Sequence, residues 1–263
     1  MSEDHALVRN WRLFYGVLKK NVVLQLRYRL NFAMGVVGLY TMFLVVFFGG
    51  RAIAGEGFSD SKVALAVGFL LWTLSVTAYQ GLAGDMSTEA SWGTLERLYL
   101  SPLGFGRVIA FTAVSRVVTS FTMAIVVAIP VALTADISLS FDVLGVFLVA
   151  LLGVCSVLGL GFAFGAAAIR YKRIGNVVGF LNFGFVGLVA APVEQVPVLR
   201  YFPLAQASHL VQTMVSAGTP VTALPPGELL TALVVAVGYP IAGYLLLSVF
   251  IDKAREAGVM DHY

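Results

Sequence analysis

Charge, cysteine and histidine are all scarce in this chain of 263 residues. Only 12% of the residues are charged, whereas soluble domains carry about 25%, so there is too little polar surface to cover a water-soluble fold. The single cysteine, Cys155, excludes a disulfide framework and reads as a small packing residue inside an apolar run. His5, His209 and His262 are too scattered to supply paired metal ligands. There is no Gly-x-Ser-x-Gly elbow and no carboxylate pair within an apolar run, which argues against an intramembrane hydrolase. A P-loop needs Gly-x-x-x-x-Gly-Lys-Ser/Thr, because backbone amides and the lysine cradle phosphates. None of Lys19, Lys20, Lys62, Lys172 and Lys253 follows a glycine, so this chain is not an ATPase of that kind.

Long hydrophobic runs are what the sequence does have. Charge-free stretches lie between Arg29 and Arg51, Lys62 and Asp85, Arg107 and Asp136, Asp142 and Arg170, Arg173 and Glu194, and Glu228 and Asp252, and only Arg116 interrupts one. About 20 helical residues cross a hydrocarbon core roughly 30 Å thick. The expected fold is therefore an all-α polytopic membrane protein forming one domain over residues 1–263. Its expected spans are 30–50, 63–84, 108–135, 143–169, 174–193 and 229–251. Six spans place both termini on one side, together with Arg9, Arg12, Lys19, Lys20, Arg27, Arg29, Arg97, Arg107, Arg170, Lys172, Arg173, Lys253 and Arg255. The opposite side holds only Arg51, Lys62 and Arg200. By the positive-inside rule the termini are expected in the cytoplasm, in a multi-pass protein of the cell (plasma or inner) membrane. The pI near 9.0 then reflects topology and anionic lipid; no aromatic-rich basic groove points to nucleic acid.

The segments between spans are where function is expected. At 100° per residue Leu7, Trp11, Phe14, Tyr15, Leu18, Val22 and Leu26 share one side of a helix over 7–29, opposite Arg9, Arg12, Lys19, Lys20 and Arg27. That pattern predicts an amphipathic helix in the membrane interface. Two inserts are longer than turns. The stretch 86–102 predicts a short helix over Thr94–Leu100, with Leu95, Leu98 and Tyr99 on one side, freed by Gly93 and stopped by Pro102. An apolar ridge of this kind suits docking into a cleft on another protein. The other insert, 194–227, carries Pro197 and Pro203 and then an amphipathic stretch from Leu204 to Val215, with His209 on its polar side. Glu194 and Arg200 are expected to form a local ion pair there.

The run Glu89-Ala-Ser-Trp-Gly93-Thr94-Leu95-Glu96-Arg97-Leu98-Tyr-Leu-Ser101-Pro102 resembles the hallmark segment of type-2 ABC exporter (ABC-2 type) permeases. In that family it reads approximately Glu-x-x-x-Gly-Thr-Leu-Glu-x-Leu-x-x-Ser-Pro and follows the second span. The resemblance covers essentially the whole chain, including the interfacial helix and a proline-marked external hairpin before the last span. It implies a type V ABC exporter-like fold, in which 86–102 is a cytoplasmic coupling helix and 194–227 an external re-entrant hairpin. The ATPase-contacting residues would be Gly93, Thr94, Leu95, Glu96, Arg97, Leu98, Ser101 and Pro102. ATP and Mg would be bound by a separate ATPase subunit, in two copies, and this permease would pair with a second copy of itself.

In the family the second and fifth spans line the path; here they offer Phe69, Trp72, Thr73, Tyr79, Asn182, Phe183 and Phe185. Asn182 reads either as helix–helix glue or as a substrate contact, because an amide in a span must find a partner. Arg116 is expected either to snorkel to the headgroups or to pair with Asp85, with a substrate role as the other reading. The expected activity is outward transport of a lipophilic, drug-like, lipid or glycan cargo. The alternative is an ATP-independent secondary transporter or channel, faintly favoured by long inserts at matching places in the two halves but opposed by spans without acidic residues.

Overall fold

The computed structural model describes residues 14–20, 23, 27–55, 58–92, 104–136, 141–171 and 175–256. Among these the chain is helical and contains no strand. The helices are α1 (Arg29–Ala54), α2 (Phe58–Ser91), α3 (Phe105–Ala135), α4 (Val143–Tyr171), α5 (Gly175–Val189), α6 (Ala205–Ala217) and α7 (Pro226–Glu256). Short 3₁₀ turns cover Pro197–Tyr201 and Val221–Ala223. Residues 14–20 form a further helical stretch whose Phe14 ring lies 5.9 Å from Phe111 on α3. The rest of the expected 7–29 helix is largely outside the described residues.

Five helices, α1, α2, α3, α4 and α7, are long and apolar enough to cross a membrane. Their outer faces carry exposed Val45, Ile125, Ile129, Leu133 and Val234. A soluble protein rarely exposes apolar surface on that scale. This is an all-α polytopic membrane protein. α2 and α4 form its centre, about half buried along their apolar windows, while α1, α3 and α7 surround them.

The sixth expected span is shorter than its apolar run. α5 has 15 residues and rises about 22 Å, short of a core roughly 30 Å thick. Tertiary hydrogen bonds end it. The Val189 carbonyl accepts from Ser208 Oγ (2.7 Å) and Gln212 Nε2 (2.9 Å) on α6, and Pro192 follows with no amide to donate.

Neighbour pairs give the helix directions. Phe47 meets Phe58, Gly68 meets Val189, Lys62 meets Asp136 and Phe162 meets Tyr244. Hence α1, α3 and α5 run one way and α2, α4 and α7 the other, so Arg29 and Glu256 lie at the same end of the bundle.

α4 holds α6 and α7 through its small residues. The Leu204 amide donates to Ser156 Oγ (2.9 Å), halfway along α4, while Met214 and Val221 lie against Gly145 near its start. α6 therefore begins deep in the bundle and climbs back toward the α4 N-terminus. Leu204 turns the chain there at φ 71°, a conformation unusual for a non-glycine residue, and it is held by near-complete burial. Against α7, a Cβ on Gly159 would strike the Tyr239 carbonyl and lie 2.8 Å from Tyr239 Cβ, and one on Gly243 would lie 2.8 Å from Gly159 Cα. Backbone cannot yield as a side-chain tip does. Gly159→Ala and Gly243→Ala are each expected to destabilise the protein by about 1–3 kcal/mol, the usual cost of overpacking. The two costs should not add, because both changes separate the same helices. Thermal midpoints of the detergent-purified single and double variants measure this.

α2 outlasts its charge-free stretch. It continues through Ser91, so Asp85 and Glu89 lie inside the helix and residues 86–91 belong to α2 rather than to the insert expected over 86–102. The Asp85 charge is matched within the bundle: Arg116 Nε donates to Asp85 Oδ2 (2.7 Å), and Arg116 Nη2 grips Oδ1. Gly81 makes room for this fork, since a Cβ there would lie 2.8 Å from Arg116 Cδ. Of the expected alternatives for Arg116, the structure shows the pairing.

Candidate functional site

Between α1, α2, α5 and α6 lies an apolar cleft of about 350 Å³, within the usual range for sites that take small organic ligands. Phe69 and Trp72 of α2 line it opposite Met42 and Val46 of α1 and Val186 of α5. Gln212 of α6 supplies a polar group at its wall, with the amide already committed to Val189 and to Ser208 Oγ (2.9 Å). Buried Phe43 packs on Phe69 at 5.3 Å from behind the lining, so the aromatic wall is backed by the core.

A polar knot ties α2 to α5 beside this cleft. Asn182 Oδ1 accepts from the Tyr79 hydroxyl (2.6 Å) and from Gln80 Nε2 (2.9 Å), while Trp72 Nε1 donates to the Asn182 carbonyl (3.1 Å). Phe185 packs on the Tyr79 ring at 4.9 Å. Asn182 is thus used as a link between helices. Asn182→Leu removes the acceptor shared by Tyr79 and Gln80 and is expected to cost about 1–2 kcal/mol, the upper range for a hydrogen bond between membrane helices. The check is the thermal midpoint of the detergent-purified variant, with Asn182→Gln expected to recover only part of the loss.

The residues expected along the path are only partly gathered. Phe69 and Trp72 face the cleft. Thr73 and Phe185 are buried in the core, and Thr73 Oγ1 has no hydrogen-bond partner among the described residues. Phe183 points the other way: with Phe180 it is 76% exposed on the outer side of α5. Gln80, Ser156, Ser208 and Gln212 were not singled out from the sequence. The available signal was a polar side chain inside an apolar run, which must find a partner. The segment Gly93–Pro102, with Thr94, Leu95, Glu96, Arg97, Leu98 and Ser101, lies outside the described residues; α2 ends beside exposed Trp92.

At the α4 N-terminus Asp142 accepts from the Gly145 amide (2.9 Å) and the Val221 amide (3.2 Å), tying the turn after α6 to α4. The Gly145 amide first, then the Val221 amide, hold its carboxyl below the usual carboxylate range. A depressed folded-state pKa contributes stability above the unfolded value, near 3.9, that is lost as pH falls through the folded one. Protection of the Val221 amide from hydrogen exchange, relative to its intrinsic rate at each pH, is expected to fall below about pH 4 in the natural chain, and this loss of protection should be absent in Asp142→Asn. Nearby, Glu194 approaches His209 Nε2 at 3.6 Å, whereas Arg200 donates to the Val193 carbonyl (3.4 Å). The expected Glu194–Arg200 pair is replaced by Glu194–His209, because α6 brings His209 back beside Glu194.

Among the described residues no three His, Cys, Asp or Glu side chains are grouped to hold a metal ion. No protein-family model, curated protein or solved structure matches the chain.

Proposed function

We propose that this chain is the membrane-spanning permease subunit of an ATP-driven exporter of the ABC-2 type, with both termini in the cytoplasm and ATP bound by a separate subunit. The observation that carries this reading is the run Glu89 to Pro102, with Gly93-Thr94-Leu95-Glu96, which begins in the last turn of the long helix α2 and continues past its end. The end of α2 lies at the end of the bundle that also holds Arg29, Arg107 and Lys253, whereas Arg51 and Lys62 lie at the other. This distribution supports placing the run in the cytoplasm. A segment that dips beside α4 and climbs back, as 190–217 does, supports a re-entrant hairpin on the outer side, with the shorter α5 as the sixth membrane helix.

In this reading α2 is the lever. Closure of two ATPase subunits displaces the Thr94–Leu100 segment. From Ser91 to Phe69 the force travels about 33 Å along one helix. The Asp85–Arg116 fork carries it to α3, and the Tyr79–Asn182 knot carries it to α5. The cleft between α1, α2 and α5 then changes its access, and nucleotide state biases it only through the coupling segment. The outward Val177, Phe180 and Phe183 of α5 give a second copy of the permease an apolar face, which suits a homodimer. The apolar lining favours a lipophilic or amphipathic cargo.

The rival is an ion-coupled carrier, and the Asp85–Arg116 pair is the observation in its favour, since ionisable groups inside membrane helices often serve transport. Purification of the tagged permease in mild detergent separates the two. The exporter reading predicts a P-loop ATPase recovered in equal number with the permease, and its absence under conditions that preserve transport rejects it.

A further inference from the structure

Away from the cleft, α3 stands off from α4 and α7 and leaves a second groove of about 530 Å³. Its floor is buried Ala113, Leu158, Phe162 and Ala236, while Val114, Ile241 and Leu245 at its lips are exposed, so it opens sideways toward lipid. Ala110 and Ala113 on α3 leave the groove its room, and Pro240 of α7 lines it opposite. Beyond Tyr244, whose hydroxyl lies where a Cβ on Gly106 would sit, is a second hollow of about 350 Å³. Its lining is mixed: Gly104, Phe105, Gly106 and Ile251 together with Ser248 and Asp252.

Lengths identify the occupant. From Ala236 to Leu245 the apolar part extends about 14 Å along α7, close to half of a hydrocarbon core roughly 30 Å thick. From Tyr244 to Asp252 the second hollow adds about 12 Å, enough to reach the headgroup layer. Groove and hollow lie end to end on either side of Tyr244, over about the depth of one leaflet with its headgroups. The hollow offers a carboxylate, Asp252, and exposed Arg107 follows its lining residue Gly106 at the start of α3.

We infer that this groove is a binding site for one phospholipid with a primary ammonium headgroup: an acyl chain lies between α3 and α7, the ammonium meets Asp252 and the phosphate meets Arg107. The site is independent of whether the protein is driven by ATP. A lipid there fills a gap that would otherwise leave apolar walls without packing partners.

The test is native mass spectrometry of the delipidated full chain offered phosphatidylethanolamine, phosphatidylcholine and phosphatidylglycerol in equal amounts. One phosphatidylethanolamine should be retained in preference, and Asp252→Asn should reduce that preference about fivefold, the scale of one partly exposed charge pair. Ala113→Trp, which fills the groove, should lose the retained lipid whatever its headgroup. Cys155 lines the groove and is the chain's only cysteine, so its alkylation by N-ethylmaleimide gives a readout that needs no variant. Phosphatidylethanolamine should slow that reaction more than the other two lipids do. Equal retention of all three lipids, no effect of Asp252→Asn, or alkylation indifferent to lipid would each overturn the inference.

Discussion

Arg116→Gln alone is expected to destabilise the protein by about 2–3 kcal/mol, below the full cost of orphaning a buried charge because both partners keep some exposure. Their side chains are 22% and 29% exposed. The loss arises less from the missing attraction than from Asp85, which remains inside α2 with its charge uncompensated. The double variant Asp85→Asn/Arg116→Gln is therefore expected to recover most of the stability, since an amide pair can replace the fork without a net charge. Thermal midpoints of the four proteins in a double-mutant cycle isolate the coupling. A single variant as stable as the natural chain would mean that the fork contributes nothing. The same double variant also informs on function. A structural clamp predicts that transport survives neutralisation of both groups, whereas an ion-coupled carrier predicts its loss.

On the proposed exporter reading, Leu98→Asp is expected to weaken docking of an ATPase subunit about 30-fold or more, the effect of removing an anchor that contributes about 2 kcal/mol. The spacing of the segment, wound as a helix, would set Leu95, Leu98 and Tyr99 on one apolar ridge and Glu96 off it. A carboxylate on the ridge must be desolvated when the helix enters its cleft, so binding is opposed as well as deprived of contact. Glu96→Lys reverses a charge beside the ridge and is expected to reduce transport while leaving the permease folded. Retained thermal midpoints, together with lost co-purification and lost nucleotide-dependent transport, are the expected set of results. A falling midpoint would instead place Leu98 in the permease core.

Charges marked the ends of α1, α3, α4 and α7 to within a few residues, because leaving lipid requires a polar boundary. They misled at Asp85, where a partner on another helix, 31 residues away in sequence, keeps the carboxylate inside the bundle. The early end of α5 was illegible for a related reason. Nothing in the apolar run before Pro192 stops a helix at Val189; the side chains of Ser208 and Gln212 do. Asn182 could be read as needing a partner, but Tyr79 and Gln80 could not be assigned to it across about a hundred residues. Phe183 and Phe185 sit two positions apart on a helix apolar all round, so no polar stripe separates the inward ring from the outward one. The same limit explains Glu194. Arg200 is its neighbour in sequence, and only the return of α6 sets His209 beside it. The proposed coupling role of Gly93–Pro102 comes only from resemblance to a known motif, a different kind of information from hydropathy, and that segment lies outside the described residues.

The most direct test is reconstitution of the purified protein in liposomes, with and without the proposed ATPase subunit, followed by measuring movement of an amphipathic cargo. The account predicts no directed transport from the permease alone, and transport that requires both the ATPase and hydrolysable ATP. Cargo accumulated against a gradient by the permease alone, driven by protons or sodium, would contradict it.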